Sequence, residues 1–171
     1  ECLDADPDCD VLTIPHSTNQ SAGHAFKPVY SAEPLPSPPF YAERPLTAED
    51  AEVRAAFEPV VEVIQHKGAS ECRISMLSED GVPFLGSDEL CDFESVDTNG
   101  NKAPPIPDQP LPRLSYVREG LKEGLVLGRA LGVNPYKLGM VASTDTHNST
   151  PGQTSEAEFA VTGHTGINDG V

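Results

Sequence analysis

Three short apolar runs, dozens of residues apart, constrain the fold of this chain more than any other feature. They span residues 11–15, 60–65 and 138–142 and are rich in the β-branched and large apolar side chains typical of buried strands. A helical pattern precedes the second run and another precedes the third. The alternation of strand, helix, strand, helix and strand, with long connections, predicts an α/β fold with parallel strands.

The first helix is predicted to begin after Thr47, whose hydroxyl suits an N-cap. Glu49 and Asp50 then occupy the positively polarised first turn, and Pro59 ends the helix. Its inward face is expected to consist of small and apolar residues, which are Ala51, Ala55 and Ala56 or Phe57.

The second helix is predicted over residues 115–131, with Gly132 as its C-cap. Its apolar face is expected to comprise Val117, Leu121, Leu125 and Leu131. Gly120, Gly124 and Gly128 recur at every fourth position, and each disfavours the helix by about 1 kcal/mol relative to alanine. This repeat predicts that the helix packs closely against another backbone.

Two stretches are predicted to be irregular. Residues 27–45 contain six prolines, which favours an ordered excursion or a flexible lid over a packed element. Residues 69–112 contain a second proline-rich stretch, from Pro104 to Pro112, and no periodic pattern.

Composition limits the classes of partner. A chain of 171 residues suits one domain with a real core, and 11 basic against 27 acidic residues give a net charge of −16. That charge argues against nucleic acid, which needs Lys and Arg at its phosphates, and against anionic membranes. No apolar stretch reaches the length of a membrane span, so membrane insertion is not expected.

The four cysteines fall into two local pairs, Cys2 with Cys9 and Cys72 with Cys91. Neither pair has the C-x₂-C spacing of structural zinc, so we expect two disulfides and an oxidising compartment, periplasmic or extracellular. The alternative is four free thiols in a cytosolic protein.

Each apolar run ends in a side chain that can bind a metal. His16 follows the first run, His66 follows the second, and Asp145 and His147 follow the third. The carboxyl ends of parallel strands meet at one edge, where imidazole and carboxylate groups would converge on a divalent ion. Taken singly, a histidine after a strand is more often a surface residue, and Asp-x-His is common in turns.

Other residues are weaker candidates. Lys67 and Arg73 follow a strand end and would hold an anionic substrate, although a solvated loop is the ordinary alternative. His164 would donate a proton in the site or lie exposed near the end of the chain. Glu62, between two valines, is expected to form a structural pair, and His24 is expected in a surface loop.

Several segments resemble a known bacterial family. They are "IPHSTN" from residue 14, "EPVVEVIQHKG" from residue 58, "SECR" from residue 70, "DELCDFE" from residue 88 and "STDTHNSTPG" from residue 143. Together they resemble the family catalogued as domain of unknown function 3604, which is similar to the PHP (polymerase and histidinol phosphatase) metallohydrolases.

The resemblance implies a distorted β/α barrel, TIM-like and of PHP type, with long irregular loops and a multinuclear centre of Zn, Mn or Fe. It implies metal ligation by His16, His66, Asp145 and His147 and hydrolysis of a small anionic ester, typically a phosphate ester. The family's opening strand with its His-x-His pair is not found here. We therefore expect residues 1–171 to be a single domain from the C-terminal portion of a larger barrel.

The function expected from these observations is a metal-dependent hydrolase, catalytic in the full-length protein. The alternative, from another class, is a non-catalytic extracellular binding module, stabilised by disulfides, whose histidines are structural.

Overall fold

The computed structural model describes residues 11–34, 41–65, 70–71, 78, 81, 95–96, 102–103 and 112–143. These residues form a mixed α/β structure, which confirms the predicted fold class at that level. The helices are α1 (Ala48–Phe57) and α2 (Val117–Leu131), and the strands are β1 (Val29–Pro34), β2 (Tyr41–Pro45), β3 (Val60–Ile64), β4 (Ser95–Val96), β5 (Lys102–Ala103) and β6 (Gly139–Ala142).

Strands β3 and β6 pair in parallel, as the alternating pattern predicts. Val60 is opposite Gly139 and Ile64 is opposite Ala142, with a bulge between Glu62 and Ile64. Because parallel neighbours need a long crossover, α2 and the residues before it connect one strand to the other. The carboxyl ends of the two strands therefore lie side by side.

The first apolar run (residues 11–15) is extended but is not a regular strand. The Thr13 N–H donates to the Phe57 carbonyl at 2.7 Å, and the Glu62 N–H donates to the Pro15 carbonyl at 2.9 Å. The later residue of the run, Pro15, pairs with the later residue of the other segment, Glu62, so the run lies parallel to β3. Since Pro59 accepts from Gly139 on the other edge, the first apolar run and β6 flank β3.

Helix α1 begins where the sequence predicts. The Thr47 hydroxyl accepts from the Asp50 N–H, and the Asp50 carboxylate accepts from the Thr47 N–H, which forms a capping box. The Arg44 guanidinium, together with Thr47, holds the pKa of Asp50 below its usual range. Ala51 is fully buried on the inward face, whereas Ala56 is exposed.

Helix α2 ends at Leu131, and the left-handed φ of 82° at Gly132 confirms the predicted C-cap. The face formed by Gly120, Gly124 and Gly128, which we call the glycine face, is closely packed. Its partners are mainly side chains and not the backbone that the sequence predicts. A β-carbon at position 120 would lie 2.5 Å from Cγ of Phe26, and one at position 124 would lie 2.3 Å from Oδ1 of Asn134. The turn that follows the helix therefore folds back onto it.

The core lies between α2, β3 and the segment around Phe26. Phe26, Val61, Val117 and Tyr136 are buried, with Leu121 and Leu138 packed against them. The Phe26 and Tyr136 rings meet edge to face, 5.5 Å apart. Burial raises the pKa of the Tyr136 phenol to about 12. Its hydroxyl donates to the Lys27 carbonyl and accepts from Arg54.

One expectation about these elements is refined and another is wrong. The stretch 27–45, expected to be an ordered excursion or a flexible lid, contains the antiparallel pair β1 and β2, and Pro34 and Pro45 occupy the ends of these strands, where a missing N–H is tolerated. Leu125, predicted to face inward, is 70% exposed, because the buried stripe of α2 follows Val117, Gly120 and Gly124.

Within residues 69–112, expected from the sequence to be irregular, β4 and β5 form a two-residue antiparallel ladder. Among the described residues, no helix combines the length and apolar character that a membrane crossing requires. The described strands do not close into a barrel.

Candidate strand-end site

Polar side chains from the first apolar run, β3 and β6 meet where these segments end. His16 and Ser17 follow the first run, Gln65 follows β3, and Ser143 follows β6. Hydrogen bonds connect them through Glu62, which lies within β3. We call these five residues the strand-end network.

Gln65 is the centre of the network. Only 3% of its surface is exposed, and its side-chain nitrogen Nε2 donates to the Ser17 hydroxyl at 2.9 Å. The same nitrogen lies 3.5 Å from Nδ1 of His16 and 3.4 Å from Oε2 of Glu62. One amide group thus contacts the histidine, the residue after it and a carboxylate of the strand that Gln65 itself follows.

Glu62 connects β3 to the end of β6. The Ser143 hydroxyl donates to Oε1 of Glu62 at 2.5 Å, while Oε2 faces Gln65. Both of these neighbours are uncharged, and Glu62 is only half-buried. The structural ion pair expected for Glu62 is not found among the described residues, where its contacts are neutral hydrogen bonds.

The turn after His16 is held by a buried serine. Ser17 adopts a left-handed conformation, with φ of 48°, which is uncommon for a residue other than glycine. The next N–H, that of Thr18, donates to the Ser70 hydroxyl at 2.8 Å, and Ser70 is fully buried. The Ser70 carbonyl accepts in turn from the N–H of Val117 at the start of α2. Helix α2 therefore supports the turn that carries His16.

Two side chains of the network are of types that bind divalent metals. His16 offers an exposed imidazole and Glu62 offers a half-buried carboxylate, and both groups are common ligands of Zn, Mn and Fe. Within the described residues, no three His, Cys, Asp or Glu side chains cluster closely enough to hold an ion by themselves. A complete site would need ligands beyond His16 and Glu62.

Most of the residues predicted from the sequence lie outside the described residues. They are the metal ligands His66, Asp145 and His147, the substrate and proton-donor candidates Lys67, Arg73 and His164, and the cysteines Cys2, Cys9, Cys72 and Cys91. His16 is the predicted ligand that the structure describes, and it follows the first apolar run, which is extended but is not a regular strand. Predictions for the others remain predictions.

His24, expected in a surface loop, borders a shallow open pocket with Lys27 and Arg113. Its side chain is 66% exposed, and Nδ1 lies 3.8 Å from the Glu43 carboxylate. Lys27 also pairs with Glu43, and Arg113 lies 3.5 Å from Glu119. Acidic neighbours therefore offset the positive charge of this pocket.

Sequence reasoning missed Gln65, Ser17, Ser70 and Ser143 as members or supports of the site. A polar residue at the end of each apolar run was a usable signal for Gln65 and Ser143, which directly follow β3 and β6. No comparable signal marks Ser70, whose role depends on contacts with residues 52 and 47 positions away in the chain.

Comparison with known proteins identifies one family. The profile of the family described as "Protein of unknown function (DUF3604)" matches residues 1–169. Because the match covers nearly the whole chain, the chain belongs to that family. No curated protein and no solved structure matches the chain.

Proposed function

We propose that this member of the DUF3604 family is the C-terminal portion of a PHP-like, metal-dependent hydrolase that acts on phosphate or related esters. In this proposal the strands belong to a distorted, TIM-like β/α barrel, and the metal centre lies at their carboxyl ends. The protein is periplasmic or secreted, stabilised by Cys2–Cys9 and Cys72–Cys91 disulfides.

One observation carries the proposal. The first apolar run, β3 and β6 all run in the same direction, and the strand-end network connects their carboxyl ends. His66 directly follows Gln65 in the sequence, and Asp145 and His147 follow Ser143 by two and four residues. In β/α folds this edge is where ligands bind.

His16, His66, Asp145 and His147 would hold the ions, and Glu62 is a further oxygen donor at the same edge. When bound, divalent ions would supply Lewis acidity, which lowers the pKa of water and polarises an ester oxygen. Lys67 and Arg73 would bind the anionic substrate, and His164 would protonate the leaving group.

Metal analysis of the full-length protein tests the proposal. We expect Zn, Mn or Fe to co-purify, and His147→Ala and His16→Ala to lose most of this metal together with hydrolysis of phosphate mono- and diesters. Loss of an outer partner of a ligand typically costs roughly 10- to 100-fold in metal affinity, so removal of a ligand itself should cost at least that much.

His24→Ala is the matched control, because His24 is exposed and is not a predicted ligand. It should retain both metal and activity. If hydrolysis is unchanged in His147→Ala, or if the wild-type protein binds no metal, the hydrolase assignment fails and the non-catalytic binding module becomes the better hypothesis.

A further inference from the structure

The peptide group between Ser17 and Thr18 is hydrogen-bonded at both ends. Its N–H donates to the Ser70 hydroxyl at 2.8 Å, and its carbonyl accepts from the N–H of Gln20 at 2.9 Å. The orientation of this peptide group depends on ψ of Ser17, which is 40° in a left-handed conformation with φ of 48°. Few residues other than glycine adopt that conformation, so these contacts hold the turn in a backbone geometry that serine by itself disfavours.

Ser70 is a fixed acceptor, because its own backbone is bonded on two sides. Its carbonyl accepts from the N–H of Val117, at the start of α2, at 2.9 Å. The next N–H, that of Glu71, donates to the carbonyl of Val63 in β3 at 3.2 Å. The side chain is fully buried, so solvent does not compete for its contact with the turn. The hydroxyl therefore holds the turn at Ser17 in a fixed position relative to both α2 and β3.

The conformation of Ser17 determines the direction of His16. His16 directly precedes Ser17 and is exposed, whereas Thr18 and Asn19, which follow Ser17, are buried. Because the buried side of the turn is fixed, a change in φ or ψ at Ser17 moves the exposed histidine. The groups that orient a metal ligand matter to the metal, and loss of one typically costs roughly 10- to 100-fold in affinity.

We propose that Ser70 is a positioning residue that fixes the peptide group after Ser17 and so sets the direction in which His16 faces the end of the sheet. The consequence for metal affinity rests on the proposed function, whereas the consequence for the conformation of Ser17 does not. A serine with a purely structural role would affect stability alone.

Ser115 provides a matched control for Ser70. It is also fully buried, and its hydroxyl also accepts a backbone N–H of the connection between the first apolar run and α1, that of Gly23 at 2.7 Å. Gly23 is seven residues from His16, whereas Thr18 is two residues away. Ser70→Ala and Ser115→Ala should therefore shift the urea midpoint by similar amounts but differ in their effect on His16.

Carbon-13 NMR of the full-length protein, labelled at serine and free of metal, reports the conformation of Ser17 through its chemical shifts. The signals lost in Ser17→Gly assign this residue. We expect left-handed Ser17 in the wild type and in Ser115→Ala. Ser70→Ala should move the ratio of left-handed to extended Ser17 roughly fivefold toward the extended form. In a zinc titration, affinity should fall roughly tenfold or more in Ser70→Ala and stay unchanged in Ser115→Ala.

Ser17→Gly adds a rescue, because glycine adopts the left-handed conformation without steric cost. In the Ser17→Gly background, Ser70→Ala should lower the zinc affinity by less than about threefold. The double variant also covers the case in which Ser70→Ala alone does not fold. Relief of the backbone strain should then restore folding, and a double variant that stays unfolded would refute the proposal.

The outcomes separate this proposal from the proposed function. If Ser17 stays left-handed in Ser70→Ala, or if Ser70→Ala and Ser115→Ala have equal effects on zinc affinity, the positioning role is refuted. If the conformation of Ser17 changes in Ser70→Ala alone but the wild type binds no Zn, Mn or Fe, the role of Ser70 is supported and the metal-dependent function is refuted. If both the conformation and the zinc affinity change in Ser70→Ala alone, both are supported.

Discussion

The glycine face of α2 and the strand-end network are built on opposite principles. On the glycine face, Phe26 and Tyr136 fill the space that absent β-carbons leave, and packing determines the structure. In the network, Glu62 of β3 and Gln65, which follows β3, hold the first apolar run and β6 through hydrogen bonds to Ser17 and Ser143, partly in contact with solvent.

This difference indicates that one region mainly determines the stability of the fold and the other mainly determines the geometry of the candidate site. An atom added to a closely packed apolar contact lowers the stability of the folded protein. A hydrogen-bonded group at the surface can instead exchange its partner for water or a ligand. We therefore expect mutations on the glycine face to act on folding, and mutations in the network to act mainly on the geometry around His16.

The largest effect on stability is expected for Gly120→Ala. A β-carbon at this position would lie 2.5 Å from the buried Phe26 ring, so either the ring or the helix must move. We expect a loss of about 2–3 kcal/mol in the free energy of unfolding, despite the gain of ~1 kcal/mol in helix propensity, measured by urea denaturation.

Gly128→Ala is the matched control for this substitution. It makes the same change on the same helix face, where the nearest atom, Cβ of Asn134, would lie 3.2 Å away. The gain in helix propensity should offset most of the steric cost, so that stability changes by less than about 1 kcal/mol. Equal effects at the two positions would contradict the close packing of Phe26 on α2.

A smaller loss is expected for Ser70→Ala, which removes the buried support of the network. The substitution leaves the N–H of Thr18 buried without its acceptor, which should lower the free energy of unfolding by about 1–2 kcal/mol. The exposed Ser143→Ala should change it by less than about 0.5 kcal/mol. Chemical denaturation of both variants measures the difference, and a Ser143 effect as large as that of Ser70 would overturn the distinction between buried support and surface contact.

Apart from the control variants, the smallest effect near neutral pH is expected for Tyr136→Phe, which retains the ring packing but loses the hydroxyl. The lost hydrogen bonds to Lys27 and Arg54 should lower stability by about 1 kcal/mol. Because burial raises the pKa of Tyr136 from 10.0 to about 12, the folded state holds this proton more tightly than the unfolded state does. The stabilisation is therefore complete below pH ~10 and is lost as pH rises through 12.

Urea midpoints followed from pH ~8 to ~12 check this expectation. The difference between wild type and Tyr136→Phe should narrow over the upper part of that range. Tyr30→Phe serves as the control, since Tyr30 is 43% exposed. If the urea midpoints of the wild type and Tyr136→Phe differ by a constant amount up to pH ~12, the ionisation of Tyr136 is not coupled to folding.

Much of the local structure was predictable from the sequence. Thr47 and Gly132 mark the helix boundaries through capping chemistry, and the recurring glycines indicate close packing. Leu125 was predicted incorrectly because the buried stripe includes small residues that a hydrophobic pattern does not count. The pairing of β1 with β2 was not predicted because Pro34 and Pro45, which disfavour the interior of a strand, lie at strand ends, where they are tolerated.

The candidate site was predictable only in outline. That His16 ends an apolar run can be read from the sequence, and parallel pairing explains why such an end lies near others. The contacts between Gln65, Glu62 and Ser143 depend on strand register, on the bulge between Glu62 and Ile64, and on residues distant in sequence. No local pattern contains that information.

The glycine face of α2 also bears on the register of the distant strand β6. Gly124 and Gly128 receive Asn134 and Tyr136, and β6 begins three residues after Tyr136. The packing of this turn on α2 therefore helps to set the register in which β6 pairs with β3. A slip of one residue would reverse which face each side chain of β6 occupies. The positions of the polar side chains at the end of β6 would thus depend on the absence of methyl groups at Gly124 and Gly128.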